Sequence, residues 1–440
     1  QRRMETALLF LACAFNLVLA DPESIRADRE REERACAVLK RIKGLEDRYL
    51  TGDYLNLSHS SITDEDLKLL VEFPGLTQVD LSNTSVTDEA FKHLANSKKL
   101  VALVLKNTRV HGKGLSLLKT IRGLRAIDLS GNKIDNEALG ELCRLPDLVV
   151  LELKGTNIDH IGLGQLAKIP SLRHLDLSDT ALREDAMKAL GKLGRLTTLI
   201  MQSTLYWKDE LEVLTNLKDL ERLDLSDTQV TDHELESLSN LGNLKELNLS
   251  FTGIHGTSLH AFKNSKQLRK LDLTYTWITL DGLKNLSELA QIRDLSLSLN
   301  WIGNQSLSII GRMPSLEKLE LDDTWMTDRG IEELLPLQNL KELSICRTII
   351  TDKSLPKLAH LVKLEKLYLC GTSVGDRGLK HLQPLSELSF IDLSRTKVTP
   401  DGIAALERAI PKLYVINGQY HPYRSAVTEC QGTVTECQGN

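Results

Sequence analysis

Aromatic side chains are scarce in this chain, making up 4% of its 440 residues. A core built on a few large rings is therefore excluded, and whatever is buried must be mostly aliphatic. Cysteine is scarce too: 7 residues form no framework of close spacings, so disulfides do not hold the fold. No C-x-x-C pair or Cys/His cluster at metal-ligand spacing occurs, no Gly-rich phosphate loop follows a strand, and no cofactor is implied. Neither sign of charge dominates. With 55 Lys and Arg against 60 Asp and Glu, the formal net charge of -5 argues against a nucleic-acid binder. Apolar runs long enough to cross a bilayer are also missing. The run from Ala7 to Ala20, behind Arg2 and Arg3, is too short for a comfortable helical span and has the pattern of a secretory signal peptide. Export with loss of residues 1–20 is the expectation, with no stable membrane span and a secreted, periplasmic or cell-surface location.

What the chain has in abundance is repetition. The pattern L-x-L-x-x-T-x-V-T-D, as in Leu223, Leu225, Thr228, Val230, Thr231 and Asp232, returns every 24 residues without insertion from Leu55 to Leu393. An unbroken period of this length marks an elongated stack of repeats rather than two or three separate domains. Within a repeat, two aliphatics one residue apart, such as Leu175 and Leu177, point the same way from a strand and face the core. The next Val or Ile turns inward, and Thr231-Asp232 or its equivalents start a helix, the threonine as N-cap and the carboxylate near the positive helix end. Leu235, Leu238, Leu241 and Leu244 are read as a helical face laid back on the sheet. A second column, Thr84, Thr108, Thr156 and onward with Asn132 and Asn300, is expected to satisfy backbone groups where the chain leaves each strand.

The organisation follows from this register. Residues 21–52, charged and helix-prone with Ile25, Ala35, Val38, Leu39 and Ile42 as an apolar stripe, are read as an N-terminal helical cap. The repeats occupy 53–416, with the first strand beginning at Asp53. Residues 417–440 form a tail with a duplicated VTECQG, where Cys430 and Cys437 have the spacing to pair. Cys346 and Cys370 fall in one column of adjacent repeats and should be near neighbours; a bond between them is open, but side-by-side parallel strands more often hold such a pair in unfavourable geometry, so they are read as two free thiols.

These residues are what leucine-rich repeat proteins carry. The variant at Thr324, Met326, Thr327, Asp328, Gly330 and Ile331 resembles the 24-residue repeats of exported bacterial proteins of planctomycete type. The resemblance implies an α/β solenoid of about 15 repeats, with a parallel β-sheet on the concave face, helices on the convex face, and a role in binding proteins or other ligands. The repeats are also similar to those of F-box substrate receptors, which would imply an intracellular adaptor. The chain departs from that pattern in lacking a full cysteine column and an F-box-like helical segment ahead of the repeats.

No catalytic constellation stands out. The histidines fall in unrelated columns, among them His93, His111, His174, His255 and His381, and no nucleophile shares an evident neighbourhood with both a histidine and a carboxylate. A non-catalytic scaffold is therefore expected. On the open face, acidic residues between the core aliphatics (Asp80, Asp128, Glu152, Asp176, Asp224) and the alternation Arg222, Glu246, Lys270, Asp294, Lys318, Glu342, Lys366 suggest a self-neutralised, solvated surface. Two departures from column identity nominate ligand contacts. Val104, Val150 and Ile200, with Val101 and Val149, stand where other repeats place charges; they mark a contact patch or are strand formers tolerated in a sheet. Trp277, Trp301 and Trp325 share one column of three consecutive repeats, where others carry Ser61, Ser85, Arg109 or Lys397. Two positions earlier, Phe251, Tyr275 and Leu299 replace Asn83, Asp179 or Asp227. An aromatic ridge at the strand-exit rim is expected, suited to a protein partner, with a flat glycan as the second ligand class.

Overall fold

The computed structural model describes residues 53–182, 184–205 and 211–418, together with Glu33, Ala37, Leu50 and Thr51. The expected signal segment, nearly all of the expected cap and the tail beyond residue 418 lie outside the described residues. The chain divides into two compact units: one comprises the residues up to Gly253 and 264–268, the other residues 254–263 and those from Arg269 onward.

Each unit is an open parallel sheet faced by short helices, the α/β repeat architecture expected. Three-residue strands, from Tyr54–Asn56 to Glu246–Asn248 in the first unit and from Lys270–Asp272 to Tyr414–Ile416 in the second, pair in a register of one repeat, as in Leu199 with Leu223 and Leu319 with Leu343. The first strand starts one residue later than expected and is flanked by a two-residue antiparallel strand, Leu50–Thr51. Core columns behave as read: Leu175, Leu177, Leu223, Leu225 and Val230 are fully buried. Each aliphatic so placed contributes roughly 1.5–3 kcal/mol.

The helical side differs from the expectation in one respect. The helix begun by Asp232 ends at Leu238, and Leu241 and Leu244 are carried inward by successive turns, Leu241 N–H donating to Leu238 and Leu244 N–H to Leu241. A spacing of three suits such tight turns better than a continuous α-helix, whose period is 3.6.

The threonine column works as expected. Thr84, Thr180, Thr228, Thr252 and Thr324 each donate from Oγ1 to the carbonyl three residues back, and Asn132 Nδ2 reaches the carbonyls of Leu105 and Leu129. The Thr-Asp pair does more than cap its own helix. Asp64 accepts from both N–H and Oγ1 of Thr87 at 2.8 Å, and Asp328 does the same with Thr351, so the carboxylate ties its repeat to the next. Burial pushes Asp328 up, but its bonds to Ser354 and Thr351 outweigh that and hold it below the usual carboxylate range.

The open face is less solvated than the sequence suggested. Asp128, Glu152, Asp224 and Asp392 are buried. The recurrent aspartate is there for the backbone: Asp128, Asp176, Asp224 and Asp392 each accept from the N–H two residues on, at 2.7–2.9 Å, and Asn56 and Asn248 do the same. This side-chain turn closes each strand exit. The alternating charges pair laterally at part of the expected run: Arg222 lies 3.7 Å from Glu246, and Lys318 and Lys366 lie 3.0 and 3.2 Å from Glu342.

Candidate functional site

Every repeat places one residue at the strand exit in the left-handed backbone region, from His59 and Asn83 through Asp227 to Arg395, with Gly131, Gly155 and Gly371 in the same column. Asn, Asp and Gly tolerate this conformation; bulky side chains rarely adopt it. Phe251, Tyr275 and Leu299 hold φ of 59°, 50° and 60°, so three consecutive repeats accept local strain to put an apolar group there. Tyr275 is exposed, while Phe251, in the first unit, and Leu299 are half-buried.

Two residues further on, in the second unit, stand the tryptophans. Trp277 is 70% exposed, Trp301 85% and Trp325 60%. Trp301 and Trp325 stack with ring centroids 6.0 Å apart and planes at 21°, yet both keep most of their surface in water. The backbone beneath is fixed by a second inter-repeat ladder: Trp277 N–H donates to Ile254 and Trp325 N–H to Ile302 at 3.0 and 2.9 Å. The ridge continues past the residues nominated from sequence, because Ile349, next in the column and 56% exposed, donates its N–H to Met326 in the same way. Its column was already defined by the tryptophans; only the focus on aromatic rings hid it.

A second aromatic group was also missed. Tyr368, Phe390 and Tyr414 lie on the open face of the last strands, with centroids 5.0 Å apart for Tyr368 and Phe390 and 6.0 Å for Phe390 and Tyr414. The signal was available: Phe390 stands in the column of Lys318 and Lys366, and Tyr368 in that of Asp224.

The valine patch of the first unit resolves differently. Val150 is 1% exposed and packs with Ala102 and Ala126 into an apolar cluster, against which Val104 and Val149 rest half-buried. Ile200 is half-buried between Asp176 and Asp224 on the neighbouring strands. Beside this patch, Glu152, His174 and Asp176 crowd together. His174 Nε2 lies 2.9 Å from Glu152 Oε1, but neither atom is aligned for a hydrogen bond, and His174 Nδ1 finds no partner either. Burial first, and the neighbouring Glu152 second, push Asp176 up to about 7, and burial raises Asp128 as well. Among the described residues no group of three His, Cys, Asp or Glu is arranged to hold a metal ion, and no helix is long and apolar enough to cross a membrane.

Comparison with known proteins agrees with this architecture. A family model described as Leucine rich repeat matches residues 122–182, and a second, Leucine Rich repeat, matches residues 264–287. The fold is that of a leucine-rich repeat solenoid, and two stretches of the chain carry the repeat itself. Among solved structures it is similar to an internalin from Listeria monocytogenes, at 21% identity and a TM-score of 0.52, over 75% of this chain and 89% of that one. A leucine-rich repeat protein of Leptospira interrogans is similar at 20% identity and a TM-score of 0.53, over 80% and 87% of the two chains. No curated protein sequence matches the chain. Folds of this class are typically non-catalytic scaffolds that offer an extended surface to a ligand.

Proposed function

We propose that this chain is an exported, non-catalytic scaffold that recognises a protein ligand through the aromatic ridge of its second unit. The observation that carries the reading is the in-register exposure of Trp277, Trp301 and Trp325, in a chain that otherwise has few aromatics. Interfaces draw most of their energy from a few clustered Trp and Tyr anchors. Rings on a backbone already fixed by inter-repeat hydrogen bonds lose little freedom on binding. The strained exits at Tyr275 and Leu299 support the same reading, since strain of this kind gathers at functional sites. Export is supported by the apolar run behind Arg2 and Arg3 and by the likeness of the repeat to exported bacterial repeat proteins. A mature product beginning near Asp21 accords with it, whereas full-length protein in the cytosol removes it in favour of an adaptor.

The test is affinity capture with the protein and with a triple variant, Trp277→Ser, Trp301→Ser and Trp325→Ser. Serine occurs naturally in this column at Ser61, Ser85 and Ser373, so the fold is expected to persist with its melting temperature nearly unchanged. Loss of the Trp301–Trp325 stack costs only about 0.5–1.5 kcal/mol. A partner bound by the wild type should be lost from the variant by about a hundredfold or more, the effect of removing two or three hot-spot rings. Undiminished capture of every partner by a folded variant sinks the proposal, and retention of glycans alone by the wild type replaces the protein ligand with a saccharide.

A further inference from the structure

Cys346 and Cys370 stand in one column of adjacent repeats, where the Arg347 side chain reaches both Asp323 and the Cys370 sulfur. Arg347 N–H donates to the Cys370 carbonyl at 2.7 Å, which continues the parallel ladder through this position. Neighbouring strands lie about 4.8 Å apart, inside the roughly 4.4–6.8 Å span of Cα separations that disulfides bridge. The Arg347 guanidinium grips Asp323 with Nε and Nη2 and points Nη1 at the Cys370 sulfur, 3.7 Å away. Gly371 makes room for this crossing, since a Cβ there would come within 2.9 Å of Arg347 Cγ. Cys346 is buried, with Ser344 Oγ at 3.9 Å from its sulfur, while Cys370 is half-exposed.

We propose that this dithiol is a peroxide-sensitive modification site, with Cys370 as the attacking thiol and Cys346 as the resolving one. The Cys370 thiolate attacks hydrogen peroxide, an S–O bond forms, the O–O bond breaks and hydroxide leaves to take up a proton. Cys346 then gives up its proton, its sulfur attacks the Cys370 sulfur, the S–O bond breaks and water departs. Two electrons pass from the dithiol to the peroxide, and the products are one disulfide and two waters. The assignment of roles follows from surroundings. Cys370 is the one peroxide can reach and the one beside a cation. Its thiol is held below the usual range, first by Cys346 and against the opposing effect of burial, with Arg347 adding to the lowering. Interaction with Cys370, then burial and Asp322, pushes Cys346 up, so the pair carries its first negative charge on Cys370. Low-pKa, accessible thiols with a second thiol at hand are the ones that form disulfides rather than over-oxidise.

The experiment treats the full chain with hydrogen peroxide, blocks remaining thiols with N-ethylmaleimide and digests with trypsin. The sequence places the two cysteines on separate peptides, Glu342–Arg347 and Leu367–Arg377. The expected product is these two peptides linked, two hydrogens lighter than their sum, and reversed by dithiothreitol. In a Cys346→Ser variant, Cys370 should instead be trapped by dimedone as a sulfenic acid. Serine is the usual residue of this column, as at Ser226, Ser250 and Ser394, so that variant should fold. Cys143, half-buried and raised by burial, serves as the internal reference and should react at least about tenfold more slowly. Cys370 oxidised no faster than Cys143, or oxidised to sulfonic acid without the linked peptide in the wild type, overturns the proposal.

Discussion

Replacing Gly282 with alanine should lower the melting temperature of the second unit by about 6–12 °C, the equivalent of roughly 3 kcal/mol in a domain of this size. Helix propensity alone predicts the opposite sign, because alanine in a helix interior is about 1 kcal/mol better than glycine. Packing decides the matter. Gly282 lies in the helix Leu280–Ser287, and a Cβ there would stand 2.1 Å from the His255 carbonyl oxygen and 3.0 Å from Gly256 Cα, both backbone atoms of the preceding repeat. Backbone cannot rotate aside as a side chain can, so the two repeats must separate. That separation strains the Thr279 N–H bond to His255 and the Asn285 bonds to the Gly256 and Thr257 carbonyls. Gly164, in the helix His160–Leu166, has open space where a Cβ would fall and supplies the control. Gly164→Ala should be neutral or stabilising by up to about 1 kcal/mol. Thermal melts of the two variants read the difference, and equal effects would show that repeat spacing does not limit stability here.

A second large effect is expected where no clash exists. Ile200→Asp restores the residue common to its column, yet it should cost about 3 kcal/mol at pH 8, because it inserts a third carboxylate between half-buried Asp176 and buried Asp224. Asp176 already ionises reluctantly. Its folded-state value of about 7 stands above the ordinary 3.8, so the folded protein holds this proton more tightly than the unfolded chain does. The contribution is stabilising at low pH and is lost as pH rises from about 4 through about 7, by a few kcal/mol at most. Glu152 on the preceding strand with Asp128 beyond it, His174 two residues back on its own strand, and Asp224 beyond Ile200 on the other side are ionisable groups around it. Asp176→Asn should therefore raise the melting temperature at pH 8 and flatten the pH dependence between 5 and 8. Asparagine keeps the strand-exit bond, as Asn56 and Asn248 demonstrate. Placed in the Ile200→Asp background, the same change should recover part of the loss. If Ile200→Asp melts like the wild type at pH 8, the carboxylates are better solvated than their burial indicates.

Much of the architecture was legible because the repeat states it fifteen times. The core columns, the hydroxyl column and the helix starts depend on residue type at a fixed period, and Leu223, Thr228 and Thr231 occupy the places their chemistry demands. What escaped depends on relations between repeats. Nothing in the Thr-Asp pair alone reveals that Asp64 bonds forward to Thr87, and nothing in an acidic column distinguishes a solvated charge from one turned onto its own backbone, as Asp128 is. Val150 looked like a surface residue because its column is usually charged, but it packs with Ala102 and Ala126 into an apolar cluster that leaves it 1% exposed. The tryptophans were recognisable because the same column logic identified an environment of solvent, and the structure leaves all three exposed.

A partner seated on the ridge shields its rings from water, so oxidative footprinting of the complex reads where it binds. The protein alone and the captured complex would be exposed to hydroxyl radicals, and oxidation at each aromatic residue read by peptide mass spectrometry. Protection on binding is expected at Trp277, Trp301 and Trp325 and at neighbouring Tyr275, while Tyr414, exposed on the open face at the end of the sheet, oxidises equally in both samples. Protection confined to Tyr368, Phe390 and Tyr414, with the three tryptophans oxidised as fast in the complex as in the free protein, would contradict the account.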